Sequence, residues 1–175
     1  MPIYFKTQWD RYGEFSNFYM CQFQICARDV FVDEDFDSEL VDEVITVYSA
    51  EQAIAWMKAI LMNDVDTALL IQDTASPKEC RRLSEEMKSF DRAKWETWQE
   101  EIAIYVLTEK FASSDRLLSV LEKSRGQSIA EANADDRVWG IGICKQQAIS
   151  GTQWQGQNLL GRTLMAVREN LILLG

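Results

Sequence analysis

The chain has 175 residues, of which 47% are hydrophobic and 26% charged, as is typical of a globular protein with one domain. It contains no histidine, which excludes Ser-His-Asp and Cys-His catalysis, so that any catalysis must use carboxylates, lysine, tyrosine or thiol. The net charge of −10, without a Lys/Arg-rich patch, argues against broad binding of nucleic acid but not against a pocket for one nucleotide.

The sequence carries no targeting or membrane signal. No apolar run is long enough to span a membrane, and the first residues, MPIYFKTQWDRYG, lack the basic start and apolar region of a signal peptide. We therefore expect a cytoplasmic protein without a membrane partner, with residues 1–175 forming one domain. The four cysteines make no CxxC pair and are interpreted as reduced core residues, so we expect no metal site and no cofactor.

The N-terminal third is rich in aromatic and β-branched residues, and it predicts two strands at 23–32 and 41–48. Between them, seven of the eleven residues of the segment 33–43 are acidic. Such a charge run is typical of a solvated loop at a hairpin tip, and a docking patch for a basic partner is the alternative.

From residue 49 onward the apolar residues follow a helical period. Ser49 and Gln52 predict a capping box, and Ser76-Pro77 predicts a second helix start. The predicted helices cover about 49–63, 64–72, 76–89, a long helix from Asp91, 114–124 and 158–172. The fold class that follows is α+β and mainly helical, with a small antiparallel β element near the N-terminus.

The first predicted helix contains two charges on a largely apolar surface. Glu51 and Lys58 are seven residues apart, or about 10 Å along a helix, too far for an i,i+4 pair. Lys58, flanked by Ile54 and Leu61, has the surroundings of an amine with a lowered pKa, as a nucleophilic lysine requires. The alternative is that Lys58 extends to solvent while Glu51 complements the helix dipole, and spacing alone favours that alternative.

Five stretches together resemble the YbiA/NADAR family, in the same order and across nearly the whole chain. They are YGEFSNFY (12–19), YSAEQAIAWMKA (48–59), KF (110–111), EANADDRVWGIG (131–142) and GQNLLGRTLMAVR (156–168). The resemblance implies a single-domain YbiA-like fold and an N-glycosidase. It further implies a phosphorylated ribosylamino substrate of the riboflavin-intermediate type or, as in some members, ADP-ribose removed from guanine in nucleic acid.

The resemblance also implies roles for individual residues. Lys58 falls on the family's Schiff-base lysine and Glu51 on its motif glutamate, while Asp136 and Trp139 fall on its D-x-x-W-G element. We expect Lys58, Glu51 and Asp136 to be catalytic, and which carboxylate is acid and which is base stays open. The predicted substrate-binding residues are Glu14, Asn17, Phe18, Trp139 and Arg168.

Each substrate-binding assignment has a structural alternative. Phe18, like its neighbours Phe15 and Tyr19, is as compatible with core packing as with stacking on a base. Trp139 is either a stacking wall or a packing residue, whereas Asn17 is interpreted as a turn or ligand hydrogen-bonder. For Arg168, a structural ion pair is favoured over contact with a substrate phosphate.

Two departures from the family pattern put substrate choice in doubt: Met20 stands where many relatives have proline, and the acidic segment is longer than usual. The leading hypothesis is a small phosphorylated ribosyl or nucleotide-type substrate. ADP-ribosylated nucleic acid is the second, and a non-catalytic module that binds ADP-ribose is the third. The oligomeric state is left open.

Overall fold

The computed structural model describes residues 2–36 and 38–174. Within it the chain forms two compact units. The terminal unit comprises residues 1–19 and 111–175, and the central unit comprises residues 20–110. The architecture is α+β and mainly helical, as predicted. That residues 1–175 form one domain stays a prediction.

The strands are short and the helices account for most of the regular structure. The strands are β1 Ile3–Phe5, β2 Phe23–Cys26, β3 Val44–Val47 and β4 Ile129–Glu131. The helices are α1 Ala50–Leu61, α2 Val65–Gln72, α3 Pro77–Glu85, α4 Arg92–Ala112, α5 Asp115–Lys123, α6 Lys145–Ile149 and α7 Leu159–Leu174. Of these, β1, β4 and α6 were not predicted, because segments of three to five residues carry too little periodicity to be recognised.

In the central unit, β2 and β3 form the predicted antiparallel pair, with Phe23 opposite Val47. Both strands are shorter than predicted, because a 3-10 helix at Ala27–Asp29 follows β2 and another at Glu39–Asp42 precedes β3. The guanidinium of Arg28 donates to the carbonyls of Phe31 and Glu34 and pairs with Asp42, which closes the loop.

The acidic residues described in the segment 33–43 are exposed, which agrees with a solvated loop. Asp37 lies outside the described residues. The segment is partly ordered by a 3-10 helix at Glu39–Asp42 and by Phe36, whose ring lies 5.4 Å from that of Phe31.

Helix α1 is buried on most sides and packs against α2 and α3. The Ser49 hydroxyl accepts from the Gln52 backbone N–H, as the capping box requires, but the Gln52 side chain accepts from Tyr48 N rather than from Ser49 N. Its amide nitrogen donates to the carbonyls of Ile71 and Thr74. Gln52 therefore joins the start of α1 to the end of α2, which fixes the direction in which α1 presents its two charges.

In the terminal unit, β1 and β4 form a parallel pair, with Ile3 opposite Ile129, and α7 packs on β4. Asn158, just before α7, accepts from Glu131 N and donates to the carbonyl of Ile129. A side chain thus fastens the start of the last helix to the strand.

The long helix α4 begins at Arg92, as predicted to within a residue, and ends at Ala112. Its inner face is formed by Ile102 and Val106, both fully buried, whereas Trp95 and Trp98 are half-buried. Among the described residues, no helix is both long and apolar enough to cross a membrane. All four cysteines are free thiols, of which Cys80 is buried.

Candidate active site

Lys58 lies in the last turn of α1, half-buried, and its amine reaches helix α3 rather than solvent. Its Nζ donates to the Ser84 carbonyl at 3.2 Å and to the Ser84 hydroxyl at 3.1 Å. Burial lowers the pKa of Lys58 below its ordinary value, although the carboxylates of Glu85 and Glu51 oppose the shift. The surroundings therefore favour a neutral amine more than bulk water does.

Glu51, in the first turn of α1, is held by an arginine that the sequence did not single out. Arg81 of α3 donates from Nε and Nη2 to the two carboxylate oxygens, at 2.8 and 3.0 Å. The Glu51 side chain is 13% exposed and that of Arg81 47% exposed. A bidentate pair fixes both the position and the orientation of the carboxylate.

Two aromatic rings flank the Lys58 amine. Its Nζ lies 4.4 Å from the centroid of Phe90 and 5.5 Å from that of Trp95, within the range of cation–π attraction. Lys58 thus has hydrogen-bond acceptors on one helix and ring faces around it. By contrast Lys110, in the KF stretch, is fully buried and offers no surface to a substrate.

In the terminal unit, Asp136 organises the turn that leads to Trp139. Its Oδ1 accepts from the backbone N–H groups of Val138 and Trp139, at 2.9 and 2.8 Å. Both Asp136 and Trp139 are half-buried. These contacts fix the Trp139 backbone, and the catalytic role of Asp136 stays a prediction.

The first motif places Glu14 and Tyr19 around another cation that the sequence did not single out, Arg116 of α5. Arg116 donates to Glu14 Oε1 at 2.9 Å and to the Tyr19 hydroxyl at 2.6 Å. No local signal marks this arginine, because its partners are about a hundred residues away in sequence.

Asn17 has a buried side-chain oxygen without a hydrogen-bond donor among the described residues. The residue is 9% exposed, yet its Oδ1 accepts no hydrogen bond from any part of the chain that the structure describes. A buried amide oxygen without a donor is unfavourable unless a ligand or water supplies one. Phe18 beside it is half-buried, whereas Phe15 is fully buried and packs on Phe5 and Phe111, so Phe15 belongs to the core.

Arg168 on α7 follows the structural alternative. It is 5% exposed, and its Nη1 donates to the carbonyls of Ser124 and Gln127 and to the Ser124 hydroxyl. Its Nε donates to Glu169 at 3.0 Å. These bonds hold the guanidinium against the end of α5 and against Glu169, as the structural alternative requires, and contact with a substrate phosphate stays a prediction.

The family model described as the NADAR domain matches residues 3–172. The chain belongs to the NADAR family. N-glycosidase R617 of Acanthamoeba polyphaga mimivirus is 30% identical over 130 residues, which cover 73% of this chain and 76% of that protein.

Two further comparisons agree with this NADAR assignment. Riboflavin biosynthesis protein PYRR of Zea mays is 27% identical over 174 residues, which cover 97% of this chain but 25% of the maize protein. The NMR structure of the E. coli protein YbiA matches with a TM-score of 0.73 and 25% identity, over 99% of this chain and 86% of that one. The predicted family and YbiA-like fold are thereby confirmed.

Two glycines of the NADAR motifs lie where a side chain would clash with a neighbouring backbone. A Cβ at Gly156 would lie 2.4 Å from the carbonyl oxygen of Gly140, and one at Gly161 would lie 2.1 Å from that of Ile129. Glycine at position 156 lets the last motif pack against the backbone of the stretch 131–142, and glycine at position 161 lets α7 pack closely on β4. The two glycines of the GQNLLG stretch are therefore explained by packing.

Around the proposed nucleophile of this NADAR domain, sequence reasoning missed Arg81, Ser84 and Phe90. Arg81 and Ser84 lie three residues apart on α3, so they share a helix face. That spacing was a usable signal, but only with the knowledge that α3 packs on α1.

Proposed function

We propose that this NADAR domain hydrolyses the N-ribosidic bond of a phosphorylated ribosylamino metabolite through a Schiff base on Lys58. The chain is a hydrolase of N-glycosidic bonds, in keeping with its family and with relatives named N-glycosidases. The substrate class is supported by similarity to proteins named for riboflavin biosynthesis. A cytoplasmic location remains part of the proposal.

The observation that carries the mechanism is the environment of Lys58, a half-buried amine whose pKa is lowered by burial. A lysine attacks a carbonyl-like carbon only as the neutral amine, so a lowered pKa increases the reactive fraction at neutral pH. With no histidine in the chain, this amine is the best-placed nucleophile of the central unit.

The proposed reaction begins when the ribosylamine opens its ring and exposes C1 as an iminium. The lone pair of Lys58 Nζ forms a bond to C1, and after a proton moves to the base nitrogen, the C1–N bond breaks and the base leaves as a neutral amine. Water then adds to the lysine–sugar iminium, which releases the sugar aldehyde and returns the lysine. Glu51 is a candidate for the proton transfers, and its pairing with Arg81 keeps it near Lys58. Asp136 is the second predicted carboxylate.

Turnover of two substrates tests this function. A ribosylaminopyrimidine phosphate and an oligonucleotide carrying ADP-ribosyl guanine are incubated with the wild type, Lys58→Arg and Lys78→Arg, the last an exposed control on α3. We expect release of the aminopyrimidine by the wild type and the control, and a loss of about a thousandfold in Lys58→Arg, which keeps the charge but not the nucleophile.

The other outcomes identify the alternatives. Turnover of the guanine substrate alone would replace the proposed substrate with ADP-ribosylated nucleic acid. Binding of ADP-ribose without turnover of either substrate would indicate a non-catalytic module.

A further inference from the structure

We propose that Phe90 and Trp95 form a stacking site for the aromatic base that leaves the ribose. The inference rests on the proposed function, because it takes Lys58 as the group that bonds to C1. Neither ring belongs to the motifs that marked the site in the sequence. The site would take planar heteroaromatic leaving groups as a class.

The position of the rings follows from their distances to the nucleophile. Phe90 and Trp95 have centroids 4.4 and 5.5 Å from Lys58 Nζ. When Nζ has bonded to C1, the nitrogen of the leaving base is two single bonds away, or about 2.5 Å. The leaving nitrogen therefore lies within about 7 Å of the Phe90 centroid, so a planar ring attached to it can turn toward Phe90 and reach the distance range of paired aromatic rings.

Both rings are partly exposed, and Trp95 is held in place by helix α4. Phe90 is 38% exposed and lies in the connection between α3 and α4, while Trp95 is half-buried in the first turn of α4. The Trp95 backbone N–H donates to the carbonyl of Asp91 at 3.0 Å, which continues the helix to its first residue. Packing against the protein covers part of the Trp95 side chain, whereas much of the Phe90 side chain is exposed.

The resting state shows what the ring faces bind. The protonated amine of Lys58 is attracted to them as a cation, whereas a neutral amine is not. Once the proton has moved from Nζ to the base nitrogen, the ring faces lack this cation while the base is beside them. Nζ becomes cationic again in the lysine–sugar iminium, when the base leaves, so stacking of the base and attraction of the cation alternate on one surface.

Stacking selects a class of leaving group rather than a single base, because every heteroaromatic base presents a π face. An aminopyrimidine and a guanine both satisfy it. An acyclic amide nitrogen on the same ribose phosphate presents no such face and gains nothing from Phe90.

The test combines two substrates with variants of Phe90. The same ribose 5-phosphate carries either an aminopyrimidine or an acyclic amide, and kcat/KM is measured for the wild type, Phe90→Leu and Phe90→Tyr. Leu70→Ala, which alters an exposed apolar residue of α2, is the control. We expect Phe90→Leu to lower kcat/KM about tenfold more for the aminopyrimidine than for the amide, and Phe90→Tyr to restore most of that loss.

An effect through Lys58 would change both substrates by the same factor. Equal losses, or no loss for either substrate, would therefore overturn the stacking site. If the wild type cleaves neither substrate, the proposed function fails, and calorimetric titration with the free aminopyrimidine still decides the inference. About tenfold weaker binding to Phe90→Leu would support it, and unchanged binding, or none to the wild type, would overturn it.

Discussion

Ser84 holds the amine of Lys58, because its carbonyl and hydroxyl both accept from Nζ. Hydrogen bonds accepted from an ammonium favour the charged form, whereas burial lowers the pKa of Lys58. Removing the hydroxyl shifts the balance further toward the neutral amine.

The first prediction concerns the pH profile of Ser84→Ala. The rise of kcat/KM with pH, which follows deprotonation of Lys58, should move to lower pH by about half a unit to one unit. Ser84→Thr, which keeps a hydroxyl, should follow the wild type. A profile of Ser84→Ala that is unmoved or displaced to higher pH would contradict the assignment.

Arg81 acts on the same lysine through Glu51. The guanidinium neutralises a carboxylate that otherwise raises the pKa of Lys58. In Arg81→Gln the unpaired carboxylate should raise the pKa of Lys58, so activity should need a higher pH than in the wild type. The pH dependence of kcat/KM measures this shift, and Arg82→Gln, which changes an exposed neighbour paired to Glu79, is the control. A shift to lower pH would show that Glu51 does not act on Lys58 in this way.

Residue roles could be predicted from the sequence only where the signal was local. The charges of Glu51 and Lys58 lie on one predicted helix, so their spacing and the family pattern marked them. Ser84 and Arg81 are 26 and 30 residues from their partners. Nothing local in the sequence indicates such contacts, since they exist only after α1 and α3 have packed.

At the scale of elements, Arg168 of α7 is a cap for the end of α5. It donates to the carbonyls of Ser124 and Gln127, which follow the helix, and the Ser124 carbonyl also accepts from the Gln127 backbone N–H. The guanidinium thereby links two elements of the terminal unit.

Arg168→Met should lower the free energy of unfolding by about 2–4 kcal/mol, because buried carbonyls lose a charged donor. Urea denaturation measures the change, and Asn170→Gln, at an exposed position of the same helix, is the control with an expected change below about 0.5 kcal/mol. A variant with wild-type stability but a raised KM for the phosphorylated substrate would instead favour contact with phosphate.

Helices were predicted well because their start signals are local. The Ser49, Ser76 and Ser114 hydroxyls each accept from a backbone N–H three residues on, as N-caps do. The parallel pair of β1 and β4 was missed because its register joins residues 3–5 to 129–131, and no local pattern predicts such a pairing. The length of β2 was overestimated because the hydrogen bonds of Arg28 end the strand.

At the scale of the whole molecule, the net charge of −10 affects the choice of substrate. A polyanionic oligonucleotide is repelled by such a protein, whereas a small phosphate carries only a few charges to the site. The repulsion acts through solvent and is therefore screened by salt.

The kcat/KM ratio of ribosylaminopyrimidine phosphate to ADP-ribosyl-guanine oligonucleotide should be greatest at low ionic strength and fall as salt is added. Initial rates at several salt concentrations measure the ratio, and an uncharged cosolute of matched osmolarity is the control. If salt instead weakens turnover of the oligonucleotide, the protein has a basic surface for nucleic acid that its composition does not suggest.

A covalent bond between Lys58 and the sugar underlies the proposed function, and borohydride detects this bond by reducing the lysine–sugar iminium. The wild type and Lys58→Arg are mixed with ribosylaminopyrimidine phosphate and borohydride, and their peptides are analysed by mass spectrometry. We expect a reduced sugar-phosphate adduct on the peptide that contains Lys58, and none in Lys58→Arg. Turnover without any adduct, together with full activity of Lys58→Arg, would show that Lys58 is not the nucleophile.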